Sequence, residues 1–190
     1  MAPRSSTVLL VAVAAIGLSV PGAASAKLPN TKNKSIVPGK SIGGVKLDMS
    51  KAKVFSKWGS GKCHPGFCNW EGKGKVGHKE IASVSFVNGK AVQITISAKF
   101  TGDNLKFKAG PLAKWETSKH IKLGSSKSAV PKAYPKAKPN NGEGVQGYDL
   151  FAGAGTNLSY TRFSTSGIGA SPTKLRYITV AWDVCHYMTC

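Results

Sequence analysis

Gly44-Val45-Lys46-Leu47-Asp48-Met49-Ser50-Lys51-Ala52-Lys53-Val54 lies without a gap on His120-Ile121-Lys122-Leu123-Gly124-Ser125-Ser126-Lys127-Ser128-Ala129-Val130, 76 positions later. Lys, Leu, Ser, Lys and Val are identical in the two copies, Val45 faces Ile121, and Trp58 falls opposite Tyr134. An ungapped match that also places an aromatic at the same later position reads as an internal duplication. Each copy has a physical reading. Val45 and Leu47 enter a turn, and the Ser50 hydroxyl can accept from the exposed N–H groups of a first helical turn. Met49 and Val54 flank that cap as a hydrophobic staple. Val54, Phe55 and Trp58 make one apolar helix face, which Gly59 or Gly61 ends. In the second copy Ser126 is the cap and Val130 takes the staple position. Pro131 removes a helical hydrogen bond, so this helix is expected to be short and to end before Pro135.

Strands follow. Ala82, Val84 and Phe86 alternate with polar neighbours, as do Val92, Ile94 and Ile96, with Asn88-Gly89 between them. A two-residue turn there would put the two apolar sets on opposite faces. A three-residue loop, Val87-Asn88-Gly89, pairs Val84 with Val92 and Ala82 with Ile94 and is the expected arrangement. Val145 to Phe151, Asn157 to Phe163 and Leu175 to Asp183 are further strands, the last burying Ile178, Val180 and Trp182. Lys27 to Lys40 reads as a flexible leader, and Thr101 to Glu116 and Lys132 to Gly147 as connections. Helix then strands, twice, predicts an α+β architecture of two tandem repeats, each a short helix packed on antiparallel β-strands. The units are 41–112 and 113–190.

A Gly-Val-Lys-Leu turn into a Ser-capped short helix, then a Cys pair and antiparallel strands, given twice in outline, resembles the tandem-repeat fold of β-lactamase inhibitory protein. It is also similar to the single-repeat SmpA/OmlA envelope domains. The resemblance spans Ser41 to Trp182. It implies a non-enzymatic exported protein whose sheet face binds another protein. No inhibitory residue is carried over, because no loop here matches the inhibitor's contact loops. The lipid-attachment Cys of envelope lipoproteins is missing, which argues against their role in outer-membrane assembly.

Residues 1–26 read as a cleavable secretory signal. Arg4 supplies positive charge, Val8 to Val20 is apolar except for Gly17 and Ser19, and Ala24-Ser25-Ala26 offers small residues for cleavage. The run is shorter than the ~20 apolar residues of a membrane span. The mature protein is therefore expected outside the cytoplasm, secreted or associated with the cell envelope. Four cysteines in such a compartment predict two disulfides, and of the three possible connectivities local pairing, Cys63 with Cys68 and Cys185 with Cys190, is the simplest.

The chain carries 27 Lys plus Arg against 8 Asp plus Glu, a net +19. Only Arg4, Arg162 and Arg176 are arginine. Lysine is a hydrated point charge suited to diffuse attraction to an anionic polymer, whereas sequence-specific nucleic-acid contacts usually need the arginine fork. Trp70 and Trp115 lie near loops and are the aromatic residues first expected to bind a partner. Lys73, Lys75 and Lys79 cluster near Trp70, and Lys132, Lys136 and Lys138 form a second basic group.

No motif proposes catalysis. No Ser sits in a Gly-x-Ser-x-Gly elbow, the acids are scattered, and Ala152-Gly153-Ala154-Gly155 lacks the Lys-Ser/Thr of a phosphate loop. His120 aligns with Gly44, which points to a turn position. Cys63-His64 and Cys185-His186 each begin a C-H-x-x-x-C pattern without zinc-finger spacing. The reading is a non-enzymatic exported binding protein, without cofactor or metal, whose lysines meet an acidic protein or an anionic envelope polymer. An exported enzyme acting on wall material and a metal-binding protein are the alternatives.

Overall fold

The computed structural model describes residues 27–74, 79–101, 106–141, 145–166 and 173–183. The signal segment 1–26, Lys75, and the Cys185–Cys190 pair lie outside the described residues. After Met49 the chain forms α1 (Lys51–Trp58), whose buried side chains, Val54 and Trp58, lie four residues apart on one face. Ser50 holds the N-cap position in extended backbone, yet its hydroxyl makes no capping bond. Gly59 stops the helix with φ of 80°, and its N–H donates to the Phe55 carbonyl at 2.8 Å. The second helix, α2 (Ala129–Ala133), ends before Pro135 as expected, but Ser128 rather than Ser126 precedes it. Ser126 instead opens the turn before it, its carbonyl accepting from the Ala129 N–H at 3.0 Å.

The strands are β1 (Ser35–Val37), β2 (Ser41–Ile42), β3 (Val45–Lys46), β4 (Lys62–His64), β5 (Phe67–Glu71), β6 (Ile81–Val87), β7 (Lys90–Ser97), β8 (Lys99–Thr101), β9 (Lys106–Lys108), β10 (Glu116–Thr117), β11 (Lys138–Asn140), β12 (Val145–Ala152), β13 (Ser159–Ser166) and β14 (Tyr177–Trp182). Eight of them form one antiparallel sheet in the order β11-β12-β13-β14-β7-β6-β5-β4. A small sheet in the order β10-β1-β2-β3, and the β8–β9 hairpin, complete the set. The expectation of an α+β protein built from two helix-on-strand repeats is therefore corrected. The fold is mostly β, its two helices run to only 8 and 5 residues, and the strands do not divide into one sheet per half. The seam between β7 and β14 joins them, with Thr95 opposite Thr179 and Ile94 opposite Val180. Hydrophobic alternation reports which face of a strand is buried, not which strand lies beside it.

The β6–β7 turn is also corrected. Val87 pairs with Lys90 across a two-residue Asn88-Gly89 turn, with φ of 49° and 71°. A bulge restores the faces. Phe86 pairs with Ala91 and Ser85 with Gln93, so Val92 is an extra residue on β7. Beyond it Val84 meets Ile94 and Ala82 meets Ile96, all four fully buried.

One face of the large sheet carries the core. Trp58 packs edge-on against Trp70 at 5.1 Å and against Trp115 at 5.7 Å between ring centroids. The Trp58 indole donates to the Gly43 carbonyl at 3.0 Å, and the Trp70 indole to the Gly59 carbonyl at 3.0 Å. The small sheet is pinned to the large one at Gly39. Its N–H donates to the Thr161 hydroxyl at 2.6 Å, and its carbonyl accepts from the Ser159 hydroxyl at 2.7 Å. Both peptide groups of this buried turn are thus matched by strand side chains. His120 takes φ of 59° and its counterpart Gly44 φ of 79°, so His120 is a turn residue, as its alignment with glycine indicates. No helix among the described residues is long and apolar enough to cross a membrane.

Candidate functional site: the open face of the sheet

Side chains alternate along each strand, so the residues between the core positions share the opposite face. Their register builds continuous rows across the sheet. One row reads Lys62, Asn69, Ser83, Thr95, Thr179, Arg162, Asp149 and Lys138, crossing all eight strands. Its neighbour reads His64, Phe67, Ser85, Gln93, Ala181, Tyr160 and Phe151. With strands about 4.8 Å apart, seven gaps make the face about 34 Å wide.

The middle of this face is small and polar. The Thr95 and Thr179 hydroxyls lie 3.0 Å apart across the β7–β14 seam. Each end holds an aromatic pair. His64 stacks on Phe67 with centroids 5.0 Å apart, and Phe151 lies 6.3 Å from Tyr160. Phe67 is 38% exposed and Phe151 43%. β-Branched and aromatic residues suit a strand, but these two large apolar side chains gain nothing from the core because they point away from it.

Charge on the face is ordered. Arg162 grips Asp149 with two bonds, Nε to Oδ1 and Nη2 to Oδ2, both 2.9 Å. The Asn140 amide adds a bond to Asp149 Oδ2 at 2.6 Å. The bond to Asp149 holds the Arg162 guanidinium above its ordinary pKa, and burial pushes the Tyr160 phenol up. Arg162 also lies 5.1 Å from the Tyr160 ring centroid, in cation–π contact. Toward the other end Lys79 pairs with Glu71 at 2.6 Å. Lys62 and Lys138, one at each end of the central row, are exposed.

The residues expected to bind fall in several places. Trp70 is 0% exposed and Trp115 3%, so both belong to the core and neither offers a stacking surface. Trp70 alternates with Asn69 and Glu71 on β5, which places it on the inner face, and Trp115 closes over Trp58. Lys79 is used by Glu71. Lys73 is exposed beside Glu71 and Glu80. Lys132 and Lys136 are exposed at and just after α2, and Lys138 alone belongs to the open row. Sequence reasoning did not single out Arg162, Tyr160, Phe67 or Phe151. The signal for the first two was available, since Tyr160 and Arg162 alternate with the buried Thr161 and Phe163 on β13.

The Cys63–Cys68 disulfide is formed and bridges directly opposed residues of β4 and β5. With both sulfurs bonded to each other, this Cys-His motif has no thiolate for a metal. Among the described residues, no three His, Cys, Asp or Glu side chains converge as a metal site. The small ring removes chain entropy worth about 2 kcal/mol. The variant Cys63→Ala with Cys68→Ala is therefore expected to fold and to lose about 2 kcal/mol or less, read by urea unfolding. A loss well above that would mean that the clip holds the whole sheet edge. Outside the open face, His120 lies 3.2 Å from Glu116 and, with Lys122, holds that carboxyl below its usual range.

No family model matches the chain, and no curated protein matches it either. Among solved structures it is similar to a cysteine-rich secretory protein from Staphylococcus aureus subsp. aureus Mu50, at 13% identity and a TM-score of 0.41, covering 77% of this chain and 48% of that one. It is also similar to an extracellular protein containing an SCP domain from Bacillus anthracis str. Ames, at 10% identity and a TM-score of 0.37, covering 72% of this chain and 44% of that one. The chain thus spans about half the length of these structures, and likeness of this degree assigns neither family nor activity.

Proposed function

We propose that this is an exported binding protein that docks an acidic protein on the open face of its eight-stranded sheet and performs no chemistry there. The observation that carries the reading is that continuous face, polar in the middle and aromatic at both ends. A third row, Glu71, Ile81, Ser97, Tyr177, Ser164, Gly147 and Asn140, lies two residues beyond the central one. The two gaps between three rows make the face about 14 Å deep and, at about 34 Å wide, roughly 480 Å² in area. That is more than half of the about 800 Å² that a standard protein interface takes from each partner. Aromatic anchors of the kind present at both ends dominate such interfaces. The acids Asp149 and Glu71 are already matched by Arg162 and Lys79. Lys62 and Lys138 are left to meet an acidic rim. The signal-like start and the closed Cys63–Cys68 disulfide support export to an oxidising compartment.

The test places a photo-cross-linking residue at Thr179, in the middle of the face, or at Ser56, on the exposed side of α1, in the mature protein mixed with envelope and secreted proteins of the native cell. One acidic protein is expected to cross-link from Thr179 and not from Ser56. Phe67→Ala combined with Tyr160→Ala is expected to weaken its binding at least tenfold, consistent with about 1–2 kcal/mol per anchor. Equal capture from both positions, or binding indifferent to the double variant, would rule the reading out.

A further inference from the structure

Six lysines are engaged within the fold. Lys79 and Lys122 pair with Glu71 and Glu116, Lys119 donates to the Ala133 carbonyl, Lys127 to Gln146, and Lys51 and Lys174 lie over Phe55 and Phe107. One group differs. Lys46 of β3, Lys53 of α1 and Lys90 of β7 converge on a single recess beside Ser50. Lys40 joins Lys46 along an adjoining recess, and Lys57 continues the line one helical turn beyond Lys53. All five are exposed, and among the described residues none forms an ion pair. Asp48 is the one acid in the recess, and its carboxylate accepts from the Trp182 indole at 3.1 Å. The backbone fixes this convergence, because Asp48 and Met49 exchange hydrogen bonds with Ala91 at 2.8 and 2.9 Å and thereby hold β7 against the start of α1.

We infer that this lysine line binds a linear phosphodiester polymer of the cell surface, at a site separate from the open sheet face. Five cations drawn from four segments of chain, left without partners, repel one another, and a line of phosphates relieves that repulsion. The recess suits phosphate rather than bases. It contains no arginine for a forked base contact, and its one aromatic, Trp182, is half-buried with its indole N–H tied to Asp48. Its charges are flexible point charges, matched to a chain of repeating anions rather than to one rigid group. Beyond Trp182 it offers none of the aromatic anchors that a protein partner would use. The protein would then hold an anionic polymer on one side while its sheet face remains free.

The experiment measures binding of the mature protein to long-chain poly(glycerol phosphate) across a salt series, with duplex DNA as the second arm. Lys46→Gln, Lys53→Gln and Lys90→Gln together are compared with Lys108→Gln, Lys132→Gln and Lys136→Gln, which remove the same charge elsewhere. The first triple is expected to lose at least tenfold in affinity and to flatten the logarithmic salt slope by about 2, from three contacts at about 0.7 each. The second is expected to lose less than threefold, and both should keep the wild-type melting temperature. Equal losses in the two triples would mean diffuse attraction and overturn the site. Absence of binding at low salt, or tighter binding to the duplex than to the polymer, would overturn the proposed ligand. Phe67→Ala with Tyr160→Ala should leave polymer binding unchanged, so this inference and the sheet-face reading stand or fall separately.

Discussion

Replacing Trp58 with alanine is expected to cost about 3–5 kcal/mol of folding free energy. The side chain is 1% exposed and lies between Trp70 and Trp115, at 5.1 and 5.7 Å. Its indole N–H is also the donor to the Gly43 carbonyl. Removal opens a cavity where helix, small sheet and large sheet meet, so neighbours anchored in three elements cannot easily close it. A domain of this size holds roughly 5–15 kcal/mol in total, so the variant should lie near the edge of folding. Guanidinium unfolding followed by far-UV circular dichroism measures the loss without relying on the tryptophan that was removed. A loss below about 1 kcal/mol would show that the cluster is not the centre of the core.

Gly43→Ala should be nearly as damaging, although it adds only one methyl group. Gly43 has φ of 58°, where an L side chain costs about 1–2 kcal/mol. A Cβ built there meets the Trp115 ring at 2.3 Å and Trp58 Nε1 at 3.0 Å. Overpacking of that kind adds about 1–3 kcal/mol, for a sum of about 2–5. Gly66→Ala is the control. It has the same sign of φ, 80°, but nothing within 4 Å of the built Cβ, so it should show the backbone cost alone. Equal losses in the two variants would refute the steric part.

Much of the local structure was legible. The turn before α1, its apolar pair Val54 and Trp58, its glycine stop, and the buried Ile178 and Val180 all follow from periodicity and turn chemistry. The β6–β7 turn misled for an instructive reason. Asn88-Gly89 carried the correct turn signal, but register argued against it, because a bulge at Val92 leaves no mark in a pattern of apolar residues. Trp70 misled because nearby Gly and Lys residues gave it a loop-like setting, while its alternation with Asn69 and Glu71 was the better guide. The open face was the least legible. Its rows join residues from strands far apart in the chain, and only strand order makes Asn69 and Arg162 members of one line. The fold class failed at the same point, since each half can be read locally whereas the seam between β7 and β14 cannot.

That seam has a bearing on the order in which the chain completes its fold. Ser97 and Tyr177 sit side by side in the sheet, so the four strands from β4 to β7 keep a bare, hydrogen-bond-hungry border until a distant stretch of chain arrives. Contacts between such remote positions form slowly. A nascent polypeptide therefore cannot close its largest sheet until β14 has been made, and the border is covered only then.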